Sequence, residues 1–89
     1  MKSRALVKFW DAYGSLDEAE KILARKAYNV WRVNPYHPSL AFKKVGKASP
    51  IWSARISKST RALCLVKEGT AHWFWIGPHD EYEMIIRGK

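Results

Sequence analysis

Residues 51–76, IWSARISKSTRALCLVKEGTAHWFWI, decide the fold, because apolar side chains recur at every second position over most of the stretch. That period is typical of strands that bury one face. It is clearest in IWSARIS, continues in RALCLVK and returns in AHWFWI, with Glu68 and Gly69 at a turn position. We therefore predict three strands joined by hairpins. In the first of them the apolar face carries Trp52, Ala54 and Ile56, and the polar face carries Ser53, Arg55 and Ser57.

Upstream of these strands, the spacing of apolar residues becomes helical. RALVKFWDAY, residues 4–13, is followed by Gly14, a residue type that often terminates helices. These features predict a first helix over residues 4–13. Its apolar positions are Leu6, Phe9, Trp10 and Tyr13.

A second helix is predicted to begin at Ser15. Ser15 and Glu18 have the spacing of a capping box, in which each side chain bonds a backbone N–H of the first turn. Pro35 is expected to end the helix, because proline disfavours helical backbone in the residue before it. The predicted apolar face consists of Leu16, Ala19, Leu23, Ala27, Val30 and Trp31, and the predicted solvated basic face of Lys21, Arg25 and Arg32.

Two further elements complete the predicted architecture. A fourth strand is expected around residues 42–47, and HDEYEMII, residues 79–86, has the spacing of a short helix. The predicted fold class is α+β, with two N-terminal helices on one face of a twisted three- to four-stranded antiparallel sheet and a short C-terminal helix. We expect a single domain over residues 1–89, with the other sheet face available for function.

The charge balance indicates what the protein binds. Sixteen Lys and Arg residues against eight Asp and Glu give a formal net charge of +8 on 89 residues. Such a surface attracts polyanions, and both nucleic acid and an acidic protein segment satisfy it. The 47% of apolar residues argues against a disordered chain.

The cysteine content and hydropathy indicate the compartment. Cys64 is the only cysteine and lies in an apolar run, so we expect a buried structural thiol in a reducing cytoplasm. The N-terminal residues lack the apolar stretch of a signal peptide, and no run approaches the roughly 18 apolar residues of a membrane span. We expect a cytoplasmic protein that does not enter membranes.

Three common arrangements of catalytic residues are missing from the sequence. It has no Gly-rich phosphate loop, no Cys or His pair with metal spacing and no convincing Ser, His and Asp set, so neither a cofactor nor a metal is predicted. What remains is a basic and aromatic set that suits metal-free cleavage of an RNA phosphodiester, with cations stabilising the phosphate and another group moving protons. Its members are Lys43, Lys44, Arg55, Lys58, Arg61, His79 and Tyr82.

Each of these residues also has a structural interpretation. Arg55 and Arg61 are equally expected on the solvated face of a half-buried strand. Lys43 and Lys44 must point to opposite faces if they lie on a strand, so only one can face a given site. His79 and the neighbouring Asp80 are candidate caps of the last helix, Tyr82 is a candidate core residue, and the tryptophans are expected to serve packing.

Three motifs together resemble the RelE/ParE superfamily of toxins from type II toxin–antitoxin systems. They are HPSLAFKKV at residues 37–45, WSARISKSTRAL at 52–63 and WFWIGPHDEYEMI at 73–85, and the resemblance runs from about residue 9 to residue 86. It is strongest to the RelE-like branch that carries the HPSL motif. Pro35, just before that motif, and Pro38 within it are expected to stiffen the helix exit. Leu40 and Phe42 are expected to anchor it, so that Lys43 and Lys44 lie at the rim of a basic face.

The resemblance implies an activity. RelE-like toxins bind the ribosomal A site and cut the exposed mRNA by attack of the 2′-OH on the adjacent phosphate. By motif, the site residues implied are Arg55 and Arg61 as phosphate and transition-state stabilisers and His79 or Tyr82 as the proton-transfer group. Lys43 and Lys44 are implied as further RNA-binding cations, and Lys58 of the basic set is predicted to bind RNA with them.

Other functions of the same superfamily remain open from the sequence. A ParE-like toxin poisons DNA gyrase without cutting RNA. A binding module could occupy the ribosome or RNA without cleavage, and an inactive relative could bind only its antitoxin. Each of these implies a cognate antitoxin protein as a partner.

Overall fold

The computed structural model describes residues 1–88, within which the chain forms five strands, three α-helices and one 3₁₀ turn. The sheet has the order β1-β5-β4-β3-β2, with β1 parallel to β5 and the other neighbours antiparallel. The α+β fold class predicted from the sequence is confirmed. The elements are β1 (Lys2–Ala5), α1 (Val7–Gly14), α2 (Glu18–Val33), the 3₁₀ turn (Pro38–Leu40), β2 (Lys43–Lys44), β3 (Ile51–Arg55), β4 (Thr60–Lys67), β5 (Thr70–Pro78) and α3 (His79–Ile86).

The N-terminal strand corrects two predictions. The sheet has five strands of mixed direction instead of three or four antiparallel ones, and the first helix begins at Val7 instead of residue 4. Lys2 pairs with Thr70 and Ala5 with Trp73. The sequence of β1, KSRA, has no apolar alternation, so this strand depends on the β5 edge that it meets in the folded chain.

The start of α2 was also predicted wrongly. Asp17 is the N-cap, and its carboxylate accepts a hydrogen bond from the Glu20 N–H at 2.9 Å. Ser15 instead follows the end of α1, where its own N–H donates to the Ala12 carbonyl at 3.1 Å. The helix ends at Val33 as Pro35 predicts.

The buried face of α2 is rotated relative to the prediction. Ala24 and Trp31 are buried, whereas Ala19 and Leu23 are exposed. Arg25 and Arg32 of the predicted basic face are exposed, and Arg25 also donates a hydrogen bond to the Tyr13 hydroxyl of α1 at 2.7 Å. At least one basic residue of α2 therefore contacts α1.

The core lies on both faces of the sheet. On the face covered by α1 and α2, the rings of Trp31 and Trp73 meet edge to face at 5.4 Å. On the opposite face, Tyr82 of α3 packs against Leu63 and Ile51. This face is thus only partly open. Helix α3 packs against β4, β5 and, through Tyr82, β3, whereas Lys43 of β2 and Arg55 at the end of β3 are exposed. No helix in the described residues has the length and apolar character needed to cross a membrane.

Candidate functional site

Strand register brings three cations to the sheet face on which α3 packs. Arg55 of β3 lies directly opposite Arg61 of β4, and Lys43 of β2 lies opposite Ser53, two positions before Arg55 on β3. Directly opposed residues and residues two apart share a face. We call Lys43, Arg55 and Arg61 the basic face.

The HPSL motif positions the lysines. His37 caps the 3₁₀ turn, because its Nδ1 accepts a hydrogen bond from the Ser39 backbone N–H at 3.2 Å. The same Nδ1 lies 2.8 Å from the Ser39 hydroxyl. Leu40 and Phe42 are buried in the core. Their anchoring carries the chain directly into β2, where Lys43 and Lys44 are exposed.

Lys44 does not share the basic face. Its partner across the strands is Trp52, which packs on the α1 and α2 side of the sheet. The alternation predicted from the sequence therefore leaves Lys43 as the lysine beside the arginines. Lys58, exposed in the turn between β3 and β4, lies at the end of the sheet where Arg55 and Arg61 pair.

Arg61 is held by the turn that precedes it. Its Nη1 donates to the carbonyl oxygens of Ser57 at 2.7 Å and Thr60 at 3.1 Å. A guanidinium has five N–H donors, so these bonds fix its position and leave other donors for a phosphate. Arg55, its opposed partner, is exposed.

Within residues 1–88, the cations of the basic face have no carboxylate partners. Across residues 1–88, no Lys or Arg nitrogen lies within 4.0 Å of an Asp or Glu oxygen. Two like charges opposed on neighbouring strands are unfavourable until an anion joins them. The arrangement of Arg55 and Arg61 is therefore suited to binding a phosphate between them.

His79 stands beside this face at the start of α3. The backbone N–H of His79 donates to the Ser59 carbonyl at 2.8 Å, and its ring Nε2 lies 3.3 Å from the Glu83 carboxylate. The imidazole side chain is 41% exposed and can reach a ligand. The alternative role as a helix cap is wrong for both His79 and Asp80, because the N-cap is Pro78 and no side chain caps this helix.

Tyr82 is buried, with 6% of its surface exposed. Its hydroxyl donates to the Ser53 hydroxyl at 3.3 Å, which joins α3 to β3 beneath the basic face. The ring lies 5.6 Å from that of His79. Sequence reasoning missed Ser53 as the partner, since the two residues are 29 positions apart and Ser53 carries no motif signal of its own.

Sequence reasoning also missed Glu20. Its carboxylate oxygen accepts hydrogen bonds from the hydroxyls of Ser57 at 2.6 Å and Thr60 at 2.5 Å. These residues flank the turn that carries Lys58 and precedes Arg61. The contact joins residues 37 and 40 positions apart, so no local pattern could reveal it.

The structure provides neither a metal cluster nor a reactive thiol in the part of the chain it describes. No three His, Cys, Asp or Glu side chains of residues 1–88 are grouped to hold a metal ion. Burial raises the pKa of Cys64 to about 12, because the thiolate would lose its hydration. This thiol stays protonated at neutral pH and is a poor nucleophile.

The opposite side of the protein carries an apolar groove of about 510 Å³ between α1, α2 and the sheet. Exposed Trp10 and Tyr28 lie at its opening, and Arg4 and Arg25 add positive charge. The groove and the basic face thus lie on opposite sides of the sheet. The aromatic residues that line the groove are Phe9, Trp10, Tyr13, Tyr28, Trp31 and Trp73.

Comparison with known proteins places this geometry in a known fold. No family model matches the chain, and no curated protein sequence matches it. Solved structures do match. A chain of the RelB–RelE antitoxin–toxin complex from Methanococcus jannaschii superposes with a TM-score of 0.73 at 8% identity, covering 91% of this chain and 95% of that chain.

Two further structures agree with that one. The YoeB/ParE toxin from Agrobacterium tumefaciens gives a TM-score of 0.68 at 18% identity, covering 89% of this chain and 99% of that chain. The archaeal RelE–RelB complex from Pyrococcus horikoshii gives 0.67 at 13% identity, covering 86% and 92%. The chain therefore has the fold of RelE/ParE-like toxins, and the identities are too low to distinguish the branches.

Proposed function

We propose that this protein is the toxin of a type II toxin–antitoxin system, a single RelE-like domain of the HPSL-motif branch that cuts mRNA on the ribosome in the cytoplasm without a metal. The observation that carries the proposal is the opposed pair of Arg55 and Arg61, with Lys43 on the same face and no carboxylate partner within residues 1–88. Such a cluster suits the charge that develops on a phosphate during cleavage.

In the proposed mechanism the basic face holds the scissile phosphate. The RNA 2′-oxygen attacks phosphorus as its proton is removed, and the bond to the 5′-oxygen breaks as that oxygen receives a proton. The products are a 2′,3′-cyclic phosphate and a 5′-hydroxyl. Arg61, already fixed by two carbonyl groups, is pre-organised to stabilise the added negative charge.

His79 is the better supported of the two candidate proton-transfer groups. Its imidazole is partly exposed beside the basic face and is oriented by Glu83, whereas the Tyr82 hydroxyl is buried and bonded to Ser53. Imidazole is also the side-chain group that most often serves as a general acid or base in enzymes. We assign Tyr82 a supporting role, in which it fixes the helix that carries His79.

The test is cleavage in a cell-free translation reaction, with mRNA 5′ ends mapped by primer extension. The wild type is expected to make new cuts within translated codons, in the presence of ribosomes only. Arg61→Ala should lower the cleavage rate by about a hundredfold or more. Arg32→Ala, which removes an exposed charge from the last turn of α2, is the matched control and should leave the rate unchanged.

The alternatives give different outcomes in the same reaction. Inhibited translation without new 5′ ends would indicate a binder that blocks the ribosome. Normal translation would favour a ParE-like inhibitor of DNA gyrase. One of the similar solved structures is named a YoeB/ParE toxin, which supports testing this alternative. A supercoiling assay with purified gyrase then decides. Equal cleavage by the wild type and Arg61→Ala would contradict the proposed site.

The proposed partner is a cognate antitoxin whose acidic amphipathic helix lies in the apolar groove. Two structural relatives were crystallised as RelB–RelE complexes. The groove offers apolar lining and positive charge at Arg4 and Arg25, which complements such a helix. Trp10→Ala should weaken capture of the antitoxin in a pull-down, while Met84→Ala, at another exposed apolar residue on α3, should not.

A further inference from the structure

One side chain of α2 is bonded to the turn that supports the basic face. Glu20 lies in the first turn of the helix, and a single oxygen of its carboxylate accepts from both Ser57 and Thr60. Thr60 is 3% exposed, so its hydroxyl has few other partners. These two hydrogen bonds join α2 to the turn between β3 and β4.

The same turn holds the groups assigned to catalysis. Ser57 and Thr60, whose hydroxyls bond Glu20, accept from the Arg61 guanidinium through their carbonyl oxygens. Ser59, between them, accepts from the His79 N–H at the start of α3. A displacement of the turn would therefore move Arg61 and His79 together.

The turn does not need Glu20 in order to form. It is closed by its own backbone, because the N–H groups of Ile56 and Ser57 donate to the Thr60 carbonyl at 3.0 and 3.3 Å. What the carboxylate adds is a fixed attachment to α2. Successive strand residues point to opposite faces, so the Thr60 side chain is directed away from the face of Arg61. Glu20 thus holds the turn from behind and does not compete with a phosphate for the guanidinium.

We propose that Glu20 is a positioning residue that fixes the turn between β3 and β4 and thereby places Arg61 for the transition state. This inference rests on the proposed function and extends it to a residue outside the basic face. A positioning residue acts through the group it places, so removal of Glu20 should matter only while Arg61 is present.

The experiment is a double-mutant comparison of ribosome-dependent cleavage. Glu20→Ala should lower the single-turnover rate by roughly ten- to hundredfold, because small misplacements of catalytic groups are costly, and should leave half-saturation by ribosomes nearly unchanged. In the Arg61→Ala background the same change should have little further effect. Glu20→Gln, which keeps an acceptor oxygen, should retain most activity, and Glu18→Ala, an exposed carboxylate of the same helical turn, should retain all of it.

A second measurement does not depend on RNA. Hydrogen exchange should show faster exchange of the His79 amide in Glu20→Ala, and unchanged exchange in Glu18→Ala, because the His79 N–H bonds the turn. If Glu20→Ala does not fold, Thr60→Val removes one of the two hydrogen bonds to Glu20 while keeping the shape of the side chain, and it must show the same dependence on Arg61.

The outcomes separate the inference from the function. Multiplicative effects of the Glu20 and Arg61 substitutions, or equal loss in Glu20→Ala and Glu18→Ala, would overturn the positioning role while leaving the nuclease intact. A wild type that does not cleave would refute the nuclease, and the catalytic part of the inference with it. Unchanged exchange at His79 would then refute the attachment of the turn as well.

Discussion

At the scale of single residues, burial of the Cys64 thiol makes the free energy of unfolding depend on pH in the alkaline range. The side chain has no exposed surface, and burial raises the thiol pKa from its ordinary value of 9.0 to about 12. The folded state therefore retains a proton that the unfolded chain loses. The stabilising effect is complete below pH 9 and is lost as the pH rises toward 12.

The expected result is a steeper alkaline loss of stability in the wild type than in Cys64→Ala. Between pH 9 and 11 the difference in slope should approach about 1.4 kcal/mol per pH unit in the free energy of unfolding, measured with denaturant at each pH. The comparison of slopes removes the shared titration of Lys and Tyr side chains and the constant cost of the smaller side chain. Parallel curves would show that the thiol is not shielded from water in the folded protein.

At the scale of elements, the connection from β2 to β3 requires glycine at position 46. A Cβ there would press against the Ser49 carbonyl oxygen and lie 3.2 Å from the Ile51 Cβ. The N–H groups of Val45 and Gly46 both donate to the Ile51 carbonyl, at 2.8 and 3.1 Å, so the backbone has little room to move. Gly46→Ala should therefore destabilise the protein by about 1–3 kcal/mol, measured by denaturant unfolding.

A matched substitution tests whether the loss is local crowding. Gly14 ends α1 and has no atom within 4 Å of an added Cβ. Gly14→Ala should be neutral or stabilise by up to about 1 kcal/mol, because alanine restricts the unfolded chain. A similar loss in both variants would contradict the steric explanation. A loss in Gly46→Ala alone would support the tight connection that precedes β3.

The elements also show which features a sequence can predict. The hairpin strands and α3 follow from local apolar periods, and the structure confirms them. The strand β1 could not be predicted, because KSRA becomes a strand only against β5. The rotation of α2 could not be predicted either, because it is set by the packing of Ala24 and Trp31 against sheet residues that are distant in sequence, such as Trp73.

The candidate site follows the same division. The sequence motifs predicted which cations belong to the site. The pairing register of β3 with β4, which places Arg55 opposite Arg61, is known only from the structure. Alternation predicted that one of two lysines faces the site, and pairing with Ser53 identifies Lys43. The role of Glu20 could not be predicted from the sequence, because its hydrogen-bond partners Ser57 and Thr60 are 37 and 40 positions away and meet it only in the folded protein.

At the scale of the whole molecule, the net charge of +8 and the basic face make different predictions for RNA binding. A diffuse positive surface would bind RNA through any of its cations. A defined site would bind through the basic face, where the three side chains can contact phosphates together. The salt dependence of binding counts such contacts, because each phosphate neutralised on a single strand contributes about −0.7 to the slope of log K against log salt concentration.

The two cases separate when three positive charges are removed from different places. Replacing the three cations of the basic face by alanine should reduce the magnitude of the slope by about 2, measured with a fluorescent single-stranded RNA oligonucleotide at several salt concentrations. The matched variant replaces the exposed residues Lys26, Arg32 and Lys67 by alanine. It loses the same three positive charges, but from other parts of the surface. It should change the slope by less than about 1, because those side chains do not converge on one phosphate backbone. Equal reductions would mean that the protein binds RNA through its overall charge, and the opposed arginines would then need another explanation.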